Sequence, residues 1–307
     1  MPVPDYQILL DAPTWAFINA TNATYPEDTA SLTIADQRRI YDAMCAAFQH
    51  PRPPGLKVQD RAIAGVPCRI YGAGPGVTVI YLHGGGFVVG GLHSHDDICA
   101  EIAARSGLRV ISVDYRLSPD HKHPAALDDA LAVVRATPGQ ILLVGDSAGG
   151  NLCAAVAHTL RGDARLSGQV LIYPGLGGDQ AKGSYLTHAD APMLTAADVA
   201  FYAGIRFDGP VPARDATSSP LQATDFTGLP PTFALGAECD PLCDDAHAYA
   251  AAIRAAGGRA HAITEAGLVH GYLRARHSVP RAAASFDRIL AAIIAFATGT
   301  WPFGDSP

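Results

Sequence analysis

Charged side chains and long apolar runs are both scarce in this sequence of 307 residues. Asp, Glu, Lys and Arg make up only 17% of it and apolar residues 49%, a composition that excludes a disordered chain and can fill a large core. No apolar run approaches about 18 residues, so no membrane span is expected. The net charge of −7 and the lack of any basic run argue against nucleic-acid binding.

Cysteines are few for the length, and basic residues are missing from the start of the sequence. The six cysteines are scattered rather than framing a small domain, which favours reduced thiols over a disulfide framework. The first Lys or Arg is Arg38, so the basic region that opens a secretory signal is absent. Both observations predict a cytoplasmic protein.

Metal-ligand clusters are also lacking. Cys239 and Cys243 are close in sequence, but no nearby Cys or His completes a tetrahedral zinc set. His93 and His95, followed by two aspartates, are better explained as the start of a helix capped by Ser94. We therefore expect no metal and no cofactor.

From about residue 57, short apolar runs alternate with helical patterns, which is typical of a mostly parallel sheet covered by helices on both faces. The predicted strands, of which the first two form a hairpin, are Val58–Ala64, Val66–Tyr71, Val77–Leu82, Arg109–Val113, Ile141–Val144, Val170–Tyr173, Thr232–Leu235 and Arg259–Thr264. The predicted helices between and after them are Asp96–Arg105, Leu127–Arg135, Ala148–Leu160, Asp245–Ala255 and about Ala282–Ala297.

Two stretches interrupt this alternation. Residues 1–50 carry a helical pattern at Ala35–Phe48 before any strand, and residues from about 176 to 217 carry another at Thr195–Ala203. The second stretch is far longer than an ordinary connection, whose median is about 4–6 residues. We predict a catalytic domain over residues 51–307, with a helical cap built from the two stretches.

A serine motif follows the fifth predicted strand. Gly145 to Gly149 reads G-D-S-A-G between a strand and a helix, the context in which G-x-S-x-G presents a reactive serine at a sharp turn. A bare G-x-S-x-G is expected by chance roughly 0.1–0.2 times in such a glycine-rich chain, so a plain glycine-rich turn is the alternative. Ser147 is the candidate nucleophile.

A second motif follows the strand Val77–Leu82. His83 to Gly86 reads H-G-G-G, which is expected by chance only about 0.01 times in this length. Glycines after a strand let backbone N–H groups turn toward a ligand, where they can stabilise the oxyanion of a tetrahedral intermediate. The residue after the nucleophile, Ala148, supplies a further such donor.

A nucleophilic serine also needs a base and an orienting carboxylate. In proteins with a G-x-S-x-G turn between a strand and a helix, these follow the serine in the order Asp or Glu, then His. Asp240 comes just after one predicted strand and His270 just after the next. His277 is the nearest rival base, but it lies past the loop. Asp244 and Asp245 are better explained as the acidic first turn of the following helix.

Together these motifs resemble the hormone-sensitive-lipase-like group of α/β-hydrolases. The resemblance spans about residues 57–300 and includes the D-P-L segment at Asp240 and D-Y-R-L-S-P from Asp114. The bacterial acetyl-esterase-like members are the most similar. This sequence departs from the group at two positions: Asp120 stands where Glu is usual, and Tyr272 where Phe is common. The tyrosine is expected to add a hydroxyl near the base.

The resemblance implies a helical cap over the site and a role for each motif residue. Ser147 is implied as nucleophile, His270 as base and Asp240 as the acid that orients it. The implied oxyanion donors are the backbone N–H groups of Gly85, Gly86 and Ala148. Candidate substrate contacts are Phe87, beside the glycine loop, Asp146, beside the serine, and Tyr202, in the predicted cap.

The expected function is hydrolysis of short-chain, acetyl-like esters through an acyl-enzyme. The expected partners are a small-molecule ester substrate and, in a homodimer, a second copy of the chain. An amidase or acyltransferase on the same residues is the first alternative. A non-catalytic binding protein of this fold is the second, although such receptors lose the histidine that stands here at position 270. The resemblance also suggests a homodimer through the edge of the last strand.

Overall fold

A single eight-stranded sheet organises the chain. The computed structural model describes residues 4–26, 29–74 and 76–304. The strands are β1 Val58–Ile63, β2 Val66–Tyr71, β3 Thr78–Leu82, β4 Arg109–Val113, β5 Ile141–Asp146, β6 Leu166–Ile172, β7 Thr232–Cys239 and β8 Ala260–Val269. Their spatial order is β1-β2-β4-β3-β5-β6-β7-β8. Because β2 runs antiparallel to β1 and β4 while all later neighbours are parallel, β3 to β8 end at one edge of the sheet.

Helices cover both faces of this sheet. They are α1 Tyr6–Leu9, α2 Ala12–Asn22, α3 Ile34–Phe48, α4 Asp96–Ser106, α5 Ala125–Ala136, α6 Ala148–Thr159, α7 Ser184–Thr187, α8 Ala196–Arg206, α9 Cys243–Ala255 and α10 Pro280–Ala297. Helices α4 and α10 bury apolar side chains on one face, and α5, α6 and α9 do so on the other. Within the described ranges, no helix combines the length and the hydropathy needed to cross a membrane.

The predicted α/β architecture with a mostly parallel sheet is confirmed, because strands buried on both faces are continuous apolar runs. Strands β7 and β8 extend further than predicted, across a register shift between Ala237 and Cys239. The predicted last strand ends at Thr264, one residue before a glutamate, whereas β8 continues to Val269. Glu265 is nevertheless buried in β8, where Arg288 of α10 neutralises it.

The predicted start of α4 is wrong in one respect. Ser94 does not cap the helix: His95 occupies the N-cap position, and no side chain there accepts a backbone hydrogen bond. The Ser94 hydroxyl instead accepts the N–H of Gly91 at 3.0 Å. Asp96, in the first turn, is buried in an ion pair with Arg52 at 2.7 Å, so a tertiary contact holds this carboxylate in addition to the helix dipole.

Two segments stand outside the strand–helix alternation: the N-terminal segment, residues 4–50, and the insertion, residues 176–217. Of the predicted cap, residues 1–3, 27 and 28 lie outside the described residues, as do residues 75 and 305–307 of the predicted catalytic domain. Helix α8 of the insertion begins with a capping box in which Thr195 and Asp198 bond each other's backbone N–H. Both segments contribute side chains to one cavity at the carboxyl edge of the sheet.

Each segment is anchored to the sheet domain by an ionisable side chain. Arg38 of α3 donates to the carbonyl of Val88 at 2.9 Å and pairs with Asp120 at 2.8 Å. Asp245 of α9 is buried and accepts the backbone N–H of Leu176 at 2.6 Å. The same carboxylate accepts the hydroxyl of Tyr185 in α7 at 3.3 Å. These contacts hold both segments over the carboxyl edge of the sheet.

Candidate active site

The turn at Ser147 joins β5 to α6 in a backbone conformation that few residues adopt. Its φ of 52° and ψ of −118° lie outside the favoured regions for a residue with a side chain. The flanking glycines are required by packing against β3: a Cβ on Gly149 would lie 1.9 Å from the carbonyl oxygen of Leu82. A Cβ on Gly145 would lie 2.5 Å from the Gly149 carbonyl. The strained turn therefore presents the serine hydroxyl above the sheet edge.

The structure brings His270 and Asp240 to this serine. His270 follows β8, and its Nε2 lies 2.8 Å from Ser147 Oγ. Its Nδ1 lies 2.6 Å from Oδ2 of Asp240, which follows β7. Asp240 is fully buried, and its other oxygen accepts the N–H of Leu242 at 2.8 Å. Because the carboxylate accepts the Nδ1 proton, Nε2 is left as the acceptor for the serine hydroxyl.

The rival residues stand elsewhere. His277 pairs with Glu101 at 3.3 Å and does not reach the serine. Asp244 and Asp245 lie in the first turn of α9, in agreement with the interpretation of this segment. Asp244 accepts the N–H of Ser184 at 2.8 Å, so it fastens the insertion rather than the histidine.

The glycine loop after β3 supplies free backbone donors beside the serine. Gly85 and Gly86 have φ values of 127° and 60°, which favour glycine. Among the described residues, none accepts a hydrogen bond from either N–H group. The N–H of Ala148 opens helix α6, where the first N–H groups have no partner within the helix. A Cβ on Gly86 would lie 2.6 Å from the ring of Tyr202, so the insertion packs directly on this loop.

Asp146 borders the cavity at the carboxyl edge of the sheet, and its carboxylate is engaged by protein groups. Its carboxylate is buried and accepts the N–H of Gly84 at 3.0 Å and the hydroxyl of Tyr81 at 2.8 Å. Its second oxygen lies 3.2 Å from Nε2 of His95. This carboxylate therefore ties the glycine loop to the serine turn, and a substrate contact of Asp146 stays a prediction.

The electrostatics of this buried network favour a charged Asp146. Burial by itself opposes ionisation, but His95 and the Tyr81 hydrogen bond hold the pKa of Asp146 well below its usual range. Burial lowers the pKa of His83 to about 3, so this first residue of the glycine motif is neutral. Its carbonyl accepts the Tyr115 hydroxyl at 2.6 Å, which fixes the entry to the loop. Sequence reasoning missed His95 here because it lies 51 residues from Asp146 along the chain.

A cavity of about 460 Å³ opens above Ser147. All three predicted substrate contacts, Phe87, Asp146 and Tyr202, line it, and so does Phe201. Its other walls come from the N-terminal segment, the insertion and the sheet domain. They include Tyr41, Met44, Tyr173, Tyr185, Met193, Val199, Arg206, Leu242 and Arg274. The two arginines are lining residues for which the sequence offered no local signal.

The Tyr272 hydroxyl is not beside the base, contrary to expectation. It lies 2.7 Å from Ser285 Oγ in α10, and the side chain is fully buried. Its ring packs edge-on against Tyr173 at 5.0 Å, and Tyr173 in turn contacts the His270 ring at 4.8 Å. Tyr272 therefore supports the histidine loop from below through packing.

Comparisons with known proteins give consistent matches. A family model described as the alpha/beta hydrolase fold matches residues 79–274. The chain is 36% identical to carboxylesterase NlhH of Mycobacterium tuberculosis over 306 residues, 88% of this chain and 92% of that one. It is 34% identical to an ethyl acetate hydrolase of Pseudomonas putida over 212 residues, 65% of this chain and 67% of that one. A Pyrobaculum calidifontis esterase of solved structure matches with a TM-score of 0.84 at 30% identity, over 94% of this chain and 99% of the other.

Proposed function

The chain belongs to the α/β-hydrolase family, in its hormone-sensitive-lipase-like group, and on that premise we propose that Ser147, His270 and Asp240 are its catalytic triad. The protein is a carboxylic ester hydrolase. The continuous hydrogen-bonded chain from the serine through the histidine to the carboxylate carries the proposal. Gly85, Gly86 and Ala148 are the proposed oxyanion donors.

In the proposed reaction, Ser147 Oγ attacks the ester carbonyl carbon while His270 Nε2 takes the hydroxyl proton. The carbonyl oxygen becomes an oxyanion held by the three backbone N–H groups, each worth about 2.7–4 kcal/mol of barrier. The C–O bond to the alcohol then breaks, and the alcohol leaves with the proton from His270. Water attacks the acyl-enzyme in the same way, which releases the acid and regenerates the serine.

Two substitutions test the triad against its nearest rival. We expect Ser147→Ala and His270→Ala to reduce the turnover of p-nitrophenyl acetate by several orders of magnitude. The control is His277→Ala, whose imidazole pairs with Glu101 and should leave turnover close to that of the parent. Full activity in folded Ser147→Ala, or loss of activity in His277→Ala but not in His270→Ala, would refute the assignment.

We propose short-chain acyl esters as substrates. A relative named for hydrolysis of ethyl acetate shares 34% identity, and the cavity of about 460 Å³ is at the small end for ligand pockets. The prediction is a series of p-nitrophenyl esters in which kcat/KM peaks at an acyl chain of a few carbons. A peak beyond about ten carbons would contradict it. A matched anilide, measured beside each ester, separates ester from amide hydrolysis.

We further propose that the N-terminal segment and the insertion form a cap over this site. The proposal is supported by the lining side chains that both contribute and by the anchors at Arg38 and Asp245. Deletion of residues 1–50 is expected to raise KM for p-nitrophenyl esters more than it lowers kcat. Unchanged KM in a folded truncation would overturn the proposal.

A cytoplasmic location and a homodimer are the remaining proposals. The location is supported by six buried cysteines that are all free thiols. The dimer would pair copies through β8, which is an edge strand of the sheet and has unpaired backbone groups. Light scattering is expected to give twice the monomer mass at micromolar concentration, and a monomer there would contradict the dimer.

A further inference from the structure

A buried cation lines the substrate cavity four residues after the catalytic histidine. Arg274 lies in the short 3₁₀ helix Tyr272–Ala275, only 9% exposed, and borders the same cavity as Ser147 and His270. Because Ser147 and Arg274 line the same cavity, one small molecule held there can contact both.

Neutral groups are the partners of this guanidinium. Its Nη2 donates to the hydroxyl of Tyr41 at 2.7 Å and to Sγ of Cys45 at 3.2 Å, both on α3. Burial raises the pKa of both groups, so neither carries a charge at neutral pH. In the part of the chain that the structure describes, Nε of Arg274 has no hydrogen-bond partner and no ion pair joins the side chain to a carboxylate.

The neighbouring Arg276 is also buried, but it is paired with carboxylates. Its guanidinium pairs with Asp97 at 2.6 Å and with Glu101 at 2.8 Å, away from the cavity. A buried charge without such a counter-ion is costly, and arginine stays protonated in proteins. Arg274 is thus a desolvated cation to which no carboxylate is bonded among the described residues; its Cζ lies 5.3 Å from the centre of the Tyr41 ring.

Two carboxylates line the same cavity, those of Asp146 and Asp198, and both are bonded to groups other than Arg274. Asp198 accepts the N–H and the hydroxyl of Thr195 in the capping box of α8. Asp146 acts on Arg274 only through space, because its oxygens are bonded to Tyr81, Gly84 and His95. Arg206 adds a second buried cation, whose guanidinium lies 3.6 Å from the centre of the Phe87 ring. The described lining thus holds two arginines and two aspartates, and neither guanidinium is hydrogen-bonded to either of these carboxylates.

We propose that the preferred esters carry a free carboxylate, as a half-ester of a dicarboxylic acid or an acyl ester of a hydroxy acid does, and that Arg274 binds it. The planar guanidinium offers N–H donors that match the two oxygens of a carboxylate. Bound in this way, the anion completes the pairing of Arg274 while the ester lies at Ser147. The inference rests on the proposed function and names the substrate class of the same site.

The test compares isosteric substrates that differ only in charge. On the acyl side these are monoethyl succinate and its terminal amide, and on the alcohol side the acetyl ester of 3-hydroxypropanoate and its amide. We expect the parent enzyme to have the higher kcat/KM on the carboxylate of at least one pair. In Arg274→Met, the carboxylate-to-amide ratio for that pair should fall roughly 10- to 100-fold, the range of a hydrogen bond to a charged group.

Three controls separate recognition from a structural role. Arg274→Lys keeps the charge and should retain part of the preference, whereas loss of packing on Tyr41 would slow carboxylate and amide substrates equally. Arg276→Met removes a buried, paired arginine and should leave the ratio unchanged. Should Arg274→Met fail to fold, the parent enzyme provides the measurement: free succinate should inhibit p-nitrophenyl acetate hydrolysis more strongly than succinamide.

An equal ratio in the parent and in Arg274→Met for both substrate pairs overturns the inference, as does equal inhibition by succinate and succinamide. If the parent enzyme hydrolyses p-nitrophenyl acetate at a normal rate but shows no carboxylate preference, the role of Arg274 is refuted and the proposed function stands. Failure of the proposed function has a different signature, since Ser147→Ala would then retain turnover of that neutral ester.

Discussion

Replacement of Gly86 by alanine tests how the glycine loop and the insertion depend on each other. Gly86 has a φ of 60°, where a side chain costs about 1–2 kcal/mol. The new Cβ would lie 2.6 Å from two ring atoms of Tyr202, whereas ordinary contact begins at 3.4 Å. Either the ring or the loop must therefore retreat by about 0.8 Å, taken from those two distances.

That displacement is large for a group that we propose as an oxyanion donor. A misplacement of about 1 Å can cost on the order of 100-fold in rate, and complete loss of one oxyanion donor costs about 2.7–4 kcal/mol. We expect Gly86→Ala to lower kcat on p-nitrophenyl acetate roughly 100-fold while the protein stays folded. Thermal melting, monitored beside the kinetics, accounts for the backbone strain.

A double-mutant cycle identifies the cause. Tyr202→Ala removes the ring that the new Cβ meets, so Gly86→Ala combined with Tyr202→Ala should recover at least about tenfold of the lost kcat. Tyr202→Ala alone is expected to change KM more than kcat, since its side chain lines the cavity and is not part of the proposed triad. Full activity in Gly86→Ala, or a double variant as slow as Gly86→Ala, would refute the reasoning.

Two carboxylates give further predictions. Asp240→Asn should lower kcat about 10⁴-fold in a folded protein, because the amide oxygen can still accept the Leu242 N–H while its NH₂ faces His270 and favours the wrong tautomer. Unchanged kcat would exclude Asp240 as the orienting acid. Burial raises the pKa of Asp245 from 3.8 to about 7, so the unfolded chain releases this proton at a lower pH than the folded one. The folded state should therefore lose stability as pH rises from about 4 to 7, and melting of Asp245→Asn should lack that slope; parallel curves would contradict it.

The elements and the motif residues were accessible to sequence reasoning because their signals are local. Buried parallel strands are continuous apolar runs, and β4, for example, has the predicted bounds. Glycines on both sides of Ser147 and after β3 indicated places where a Cβ would not fit. In the structure, a Cβ at these glycines would indeed lie too close to neighbouring atoms. The chain order of serine, carboxylate and histidine narrowed the candidates to Asp240 and His270, which the fold brings within hydrogen-bonding distance of each other.

Other features depended on the tertiary structure, because they join residues that are distant in sequence. The carboxylate of Asp146 is directed to Tyr81 and His95 by the packing of β5 against β3, contacts that its position beside Ser147 in the sequence did not indicate. A hydroxyl at position 272 points to Ser285 only because α10 packs there.

The charge of the cavity is the clearest case. Sequence composition gave a net charge of −7, which carries no information about any one site. Arg274 and Arg276 are two residues apart and chemically identical. Arg276 pairs with two carboxylates, whereas Arg274 donates to a tyrosine and a cysteine of α3. Local sequence determines which side chains are present, but the fold decides which charges are neutralised, because pairing depends on distances across the chain.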